Sequence, residues 1–228
     1  MKHTKDPVNQ SLIELEEEIG LSQFGLMNNA VWYEDPKRLL FTASRYKFVA
    51  KVLSGYDNVV EVGCGDGFCS RIVKQEVQRL TITDFDPLFI ERFIDIQSDK
   101  WPIIAKVHDI LKDSIKEDFD ALYSLDVMEH IAPELEDVYL TNIKKSLTAN
   151  GVAIIGMPSL ESQQYASAGS KAGHINCKTG KSFKESLKKH FNNVFLFSMN
   201  DEVVHTGFYP MAHYLLGLCI SPKFDSTI

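Results

Sequence analysis

At 228 residues the chain is long enough for one complete hydrophobic core with a small cap. Its 44% hydrophobic and 24% charged composition is that of an ordinary soluble protein, and a net charge of -7 argues against broad attraction to nucleic acid or an anionic membrane surface. No stretch has the uninterrupted apolar length of a membrane span. The stretch from Met1 to Asp6 lacks the apolar core of a signal peptide, and Cys64, Cys69, Cys177 and Cys219 follow no zinc-finger spacing, so a reducing cytoplasm is the expected compartment.

In chain order, residues 1–10 read as frayed or surface-packed. Leu12, Ile13, Leu15 and Ile19 then mark an amphipathic helix ending near Gly20. Gly25 to Asp35 reads as irregular and aromatic, and Pro36 opens a helix carrying Leu39, Leu40, Phe41, Tyr46, Phe48 and Val49. Residues 1–54 are therefore expected to form a helical cap, serving either as a lid over a site or as cover for a sheet edge. Strands are expected at Val59–Val62, Arg79–Thr83, Ile103–Val107, Phe119–Leu125, Val152–Gly156, Val194–Phe197 and Tyr214–Ile220. Helices are expected over Phe68–Gln75, from Pro87, over Glu134–Leu147 and over Phe183–His190. The pattern loosens over 158–178, which reads as a polar insertion in one domain spanning 1–228. This alternation predicts an α/β sheet with helices on both faces and right-handed crossovers.

The chemistry gathers at strand ends. Val59-Val60-Glu61-Val62-Gly63-Cys64-Gly65-Asp66-Gly67 feeds a buried strand into a turn where glycines permit tight reversal and close ligand approach. Asp84 follows that turn at a strand end, where a carboxylate suits a ribose diol. Asp109 ends the next strand, as either an adenine-edge acceptor or a helix cap, and Asp126 ends the one after. All fall where an open α/β sheet forms its crevice, which points to an adenosine-containing ligand without choosing among cofactors.

Glu61 to Gly67 resembles motif I of class I S-adenosylmethionine-dependent methyltransferases. The dinucleotide oxidoreductase pattern wants its third glycine one place later, where Phe68 stands. Thr83-Asp84-Phe85-Asp86-Pro87 resembles the second-strand end of that family, and Phe119 to His130 its fourth-strand signature, especially in the small-molecule O-methyltransferase branch that includes ubiquinone-biosynthesis enzymes. The resemblance covers residues 55–160 well. It implies a Rossmann-like fold with a mostly parallel seven-stranded sheet, an antiparallel last strand and S-adenosylmethionine as the cofactor.

Carried over by position, Gly63 and Gly65 approach the methionine part of that cofactor. Asp84 binds the ribose and Phe85 lies on the adenine, with Asp109 and Ile110 at the adenine edge. Leu125 and Asp126 lie near the methionine moiety and His130 near the cofactor or acceptor entrance, while Glu61 and Asp66 organise the turn. The resemblance also makes the N-terminus and the segment after the fifth strand the acceptor side. Its pocket candidates are Trp32, Tyr33, Arg45, Tyr46, Tyr165, Lys171 and His174, with Asn176 and His205 as readers of sugar hydroxyls. Arg45 is either an anchor for an acceptor carboxylate or phosphate, or one half of a surface ion pair.

His174, in the polar insertion and titrating near neutrality, is the expected base for a hydroxyl acceptor; the alternative is a loop histidine bound to a backbone carbonyl. His130 and His205 are weaker base candidates. No metal is expected, because Asp84 and Asp86 are explained by ribose binding and capping, and His174 has no second ligand at zinc-site spacing. The expected activity is methyl transfer to a small-molecule or glycan-like acceptor, at a hydroxyl oxygen, with no nucleic-acid partner and no integral membrane association. A non-catalytic, partner-activating cofactor binder and a nicotinamide-dependent oxidoreductase are the rival readings. The sequence leaves the oligomeric state open.

Overall fold

The computed structural model describes residues 3–224. Three helices come first: α1 (Gln10–Ile19), α2 (Leu26–Glu34) and α3 (Arg38–Val52). Strand and helix then alternate through β1 (Asn58–Val62), α4 (Ser70–Lys74), β2 (Arg79–Asp84), α5 (Pro87–Ile96), β3 (Ile104–Val107), β4 (Phe119–Leu125), α6 (Glu136–Lys145) and β5 (Leu147–Pro158). The remainder comprises α7 (Ala168–Gly173), α8 (Gly180–His190), β6 (Phe191–Asn200), β7 (Val203–His205) and β8 (Tyr214–Pro222).

Among the described residues the strands form one sheet, in the order β3-β2-β1-β4-β5-β8-β6-β7. The five strands from β3 to β5 are mutually parallel, and β8 runs antiparallel to both β5 and β6. This is the expected doubly wound sheet with a reversed last strand. The eighth strand is a short hairpin partner, β7, added to the edge beyond β6.

The period-2 alternation of a strand divides β1 between two cores. Val59 packs with Val49 of α3, the adjoining Leu53, Val73 of α4 and Phe93 of α5 on one face. Val60 and Val62 pack with Tyr139, Leu140 and Ile143 of α6 and with Phe183 and Leu187 of α8 on the other. Glu61 shares the Val59 face and is drawn under α3, where its carboxylate accepts from Tyr46 Oη at 2.6 Å and Tyr123 Oη at 2.7 Å, and from Ser70 Oγ. Burial pushes the Glu61 carboxyl above its ordinary range despite these donors.

Several boundaries depart from expectation. Gly25 to Asp35 is not irregular, because α2 occupies it. Its first turn is capped from 38 residues downstream: Asp66 Oδ2 accepts from the Asn28 N–H at 2.8 Å and Asp66 Oδ1 from Asn28 Nδ2 at 2.7 Å. The helix expected over Phe68–Gln75 is confined to Ser70–Lys74, and Leu147 opens β5 rather than closing α6. No described helix is long and apolar enough to cross a membrane.

Candidate active site

The strand order changes direction at β1: β2 and β3 lie to one side and β4 to the other. In open α/β sheets that switch point opens the ligand crevice at the carboxyl ends of the strands. Gly63 to Gly67 and Asp126 flank it.

The turn after β1 is held by bonds from the Gly63 and Cys64 N–H groups to the Thr83 carbonyl, at 2.8 and 3.0 Å. Gly63 and Gly65 have φ of +76° and +52°, in the left-handed region where side chains are strained. A β-carbon on Gly63 would collide with Val127, and one on Gly65 would come within 2.6 Å of Met27 Sδ, which α2 lays over the turn. Asp84 is the polar centre of this wall. Its Oδ2 accepts from the Gly65 N–H at 2.9 Å and its Oδ1 from the Asp86 N–H at 3.0 Å. Burial raises its pKa, and those N–H bonds oppose the shift.

Beside Asp84, Phe85 is 73% exposed, so it is not packed in the core and offers a flat apolar face. Asp109 receives the Leu111 N–H at 3.0 Å, so the capping half of its two readings describes its present bond. Ile110 points into the core, and its carbonyl accepts from Asn142 Nδ2 at 2.7 Å.

Across the crevice, Leu125 is buried and Asp126 adopts φ +56°, a left-handed conformation for a non-glycine residue at a strand end. Arg45 Nη1 of α3 reaches both Asp126 oxygens, at 2.9 and 2.7 Å, and the Arg45 Cζ lies 3.8 Å from the centre of the buried Tyr214 ring. Burial alone would lower the Arg45 pKa; Asp126 and Tyr214 outweigh it and raise it. Arg45 thus matches neither an anchor free for an acceptor nor a surface pair: it is a mostly buried brace for the Asp126 turn.

Beyond Asp126 the structure joins residues far apart in sequence. The His130 and His174 rings meet edge to face with centroids 5.1 Å apart, and the fully buried Glu129 completes the group. His174 therefore has close potential co-ligands that its sequence spacing conceals. Its pKa is lowered, first by burial and then by His130, which keeps the ring neutral near pH 7. Glu129 is pushed well above the carboxylate range, by burial first and the Asp126 charge next.

The remaining acceptor candidates divide. Trp32 packs on Phe24 with centroids 5.7 Å apart, and Tyr33 is solvent-exposed on the same helix. Tyr165 is exposed on the insertion, and Lys171 Nζ donates to the Gln164 carbonyl at 3.1 Å. Tyr46 is corrected from a pocket residue to a support, since it is buried and donates to the buried Glu61 beneath the turn; Glu61, bonded there, does not face the cofactor. Asn176 is likewise buried; its N–H donates to the Glu129 carbonyl and its Nδ2 to Glu136 Oε2, both at 2.9 Å, which leaves it no freedom to read a sugar. His205 sits on β7, four strand positions from β4 and hence about 19 Å from it. Its Nε2 lies 2.8 Å from Asn200 Oδ1, so it belongs to the far hairpin rather than the crevice. A groove of about 440 Å³ lies by that hairpin, lined by Lys181 and Lys184 of α8 and by Thr206 and Gly207.

Residues 60–153 match the family described as "Methyltransferase domain". No curated protein matches the chain. Among solved structures, the N-methyltransferase NodS from Bradyrhizobium japonicum WM9, in complex with S-adenosyl-L-homocysteine, superposes with a TM-score of 0.65 at 18% identity, covering 92% of this chain and 98% of that one. A TehB-like SAM-dependent methyltransferase from Corynebacterium glutamicum ATCC 13032 Kitasato gives a TM-score of 0.58 at 21% identity over 80% and 88% of the two chains. The DhpI–SAH complex gives 0.60 at 14% identity over 85% and 88%. The fold is the class I methyltransferase fold.

Proposed function

We propose that the chain binds S-adenosylmethionine in the crevice between β1 and β4 and transfers its methyl group to a small-molecule or glycan-like acceptor, at a hydroxyl oxygen. The observation that carries this reading is the Asp84 carboxylate locked against the Gly65 N–H at the switch point of the sheet. The residues fit the donor: two glycines make a wall that a β-carbon would obstruct, a carboxylate stands at the β2 end to receive ribose hydroxyls, and an exposed Phe85 offers an adenine-sized face. When bound, S-adenosylmethionine supplies an electrophilic methyl on a sulfonium whose thioether departs.

The chain's own contribution is then mainly orientation and exclusion of water. Asp84 and the glycine turn fix the adenosine and methionine ends. Arg45 holds Asp126 and so shapes the opposite wall, and α2, pinned through Asn28 to Asp66, covers the turn. His174, neutral at physiological pH, receives the acceptor proton at the Glu129–His130–His174 cluster. The family match and the methyltransferase neighbours support the transfer reading. The hydroxyl acceptor rests on the polar insertion and His174, and the likeness to the ubiquinone-type O-methyltransferase branch on the Phe119–His130 signature. Calorimetric titration with S-adenosylhomocysteine and with NAD(H) tests the donor: saturable binding of the first alone supports the reading, and preferential NAD(H) binding removes it.

A further inference from the structure

The cluster beside the crevice has more order than proton transfer requires. One potential ligand atom from each of Glu129, His130 and His174 lies within 4.8 Å of the others. Glu129 is fully buried, and neither of its carboxylate oxygens has a hydrogen-bond partner among the described residues. Buried carboxylates are ordinarily hydrogen-bonded, paired or metal-bound.

Both imidazoles are set in one tautomer. His130 Nδ1 lies 2.9 Å from the Gly173 carbonyl, which only accepts, so Nδ1 carries the hydrogen and Nε2 the lone pair. Gln163 donates through Nε2 to the Ser159 carbonyl at 3.2 Å, which turns its Oε1 to His174 Nδ1 at 2.9 Å. His174 therefore also donates through Nδ1 and leaves Nε2 free. An oxygen acceptor behind the non-ligating nitrogen is the usual outer support of a metal-binding histidine. The loop is stapled in the same sense, since the Asn176 N–H donates to the Glu129 carbonyl at 2.9 Å.

We propose that Glu129, His130 and His174 bind one divalent first-row transition cation of the Zn²⁺, Co²⁺ or Mn²⁺ kind. Two imidazole nitrogens and one carboxylate suit such ions, whereas Mg²⁺ and Ca²⁺ prefer oxygen throughout. Three protein ligands leave coordination positions open, and His130, the exposed member, puts them on the solvent side. In the metal-free chain His174 takes the acceptor proton; with a cation bound, the His174 lone pair is engaged, the cation as a Lewis acid acidifies the acceptor hydroxyl, and its proton passes to bulk water. The inference goes beyond the methyl-transfer reading, and its affinity needs neither donor nor acceptor.

The test is titration of the chelator-treated full chain with Co²⁺, followed by visible absorption and calorimetry, with Zn²⁺ as competitor and Mg²⁺ as comparison. One equivalent of Co²⁺ is expected, displaced by Zn²⁺ and not by Mg²⁺. Glu129→Gln, His130→Ala and His174→Ala should each abolish stoichiometric uptake, and Gln163→Ala should weaken it roughly tenfold. Cys177→Ser and His205→Ala should leave it unchanged. Thermal melts separate a lost ligand from a lost fold, and the exposed His130 carries the test if a variant of a buried neighbour fails to fold. Absence of stoichiometric uptake, or uptake undiminished in the His130→Ala/His174→Ala double variant, overturns the proposal.

Discussion

Asp84→Asn probes the donor cradle while keeping its shape. The carboxylate accepts two backbone N–H groups, from Gly65 at 2.9 Å and Asp86 at 3.0 Å, and is mostly buried. An asparagine retains one acceptor oxygen and turns an NH₂ towards the second partner. A hydrogen bond to a charged group contributes about 1.5–3 kcal/mol, so losing one on the ligand side corresponds to roughly 10–150-fold in affinity. Stability should suffer less: the raised Asp84 pKa means that its ionised form is penalised by burial, and the neutral amide relieves part of that penalty. The expected result is S-adenosylhomocysteine affinity weakened roughly 10–150-fold by calorimetry, in a protein whose cooperative thermal transition is preserved. Wild-type affinity in a folded Asp84→Asn protein would refute the ribose role and the registration of the cradle built on it.

Gly65→Ala should cost about 1–2 kcal/mol from the left-handed backbone, with further displacement of Met27, read as a lowered melting temperature and weakened donor binding. Arg45→Met strands Asp126 at the crevice; breaking a buried pair costs about 3–5 kcal/mol, but Asp126 is 36% exposed, so a loss of about 1–3 kcal/mol in denaturant titration and lower turnover are expected. His174→Ala should cut turnover by about 10²–10⁴-fold while changing donor affinity little, and near-normal turnover removes His174 from the reaction. Glu136 accepts from Lys178 Nζ at 2.7 Å and Asn176 Nδ2 at 2.9 Å. Burial pushes its pKa up, and these donors, with Ser186, outweigh burial and leave it lowered. With the folded pKa below the unfolded value of about 4.3, this stabilisation is complete above that pH and is lost as pH falls through the folded pKa. Hydrogen-exchange protection of residues 158–178 should therefore drop in acid, and Glu136→Gln should show the lower protection already at pH 7.

Strand periodicity made β1, β2 and β4 legible, and the glycine turn with Asp84 and Asp126 followed because strand ends are local features. Phe85 was legible as a candidate, but only its exposure separates a ligand face from core. The hidden parts depend on distant residues. α2 has no N-cap side chain of its own; Asp66 supplies the bond across 38 residues, so neither propensity nor capping pattern revealed the helix. Glu61 looked like a turn residue, yet strand alternation turns it under α3 to Tyr46, Ser70 and Tyr123. Asn176 and His205 have chemistry suited to sugars, but bonds to Glu136 and Asn200 occupy them. His174 joins Glu129 and His130 only because the insertion folds back onto the segment after β4, which sequence spacing does not encode. A neighbouring adenine edge does not define Ile110 either; its side chain belongs to the core.

The most direct test of the central claim is incubation of the full chain with S-adenosylmethionine carrying an isotopically labelled methyl group, across a panel of hydroxylated, aminated and carboxylated small molecules and glycans, resolved by mass. Transfer of the labelled methyl to an acceptor oxygen, with one S-adenosylhomocysteine formed per product, is the predicted result. Tight binding of the donor with no labelled product across the panel, or reduction of NAD⁺ in place of methyl transfer, contradicts it.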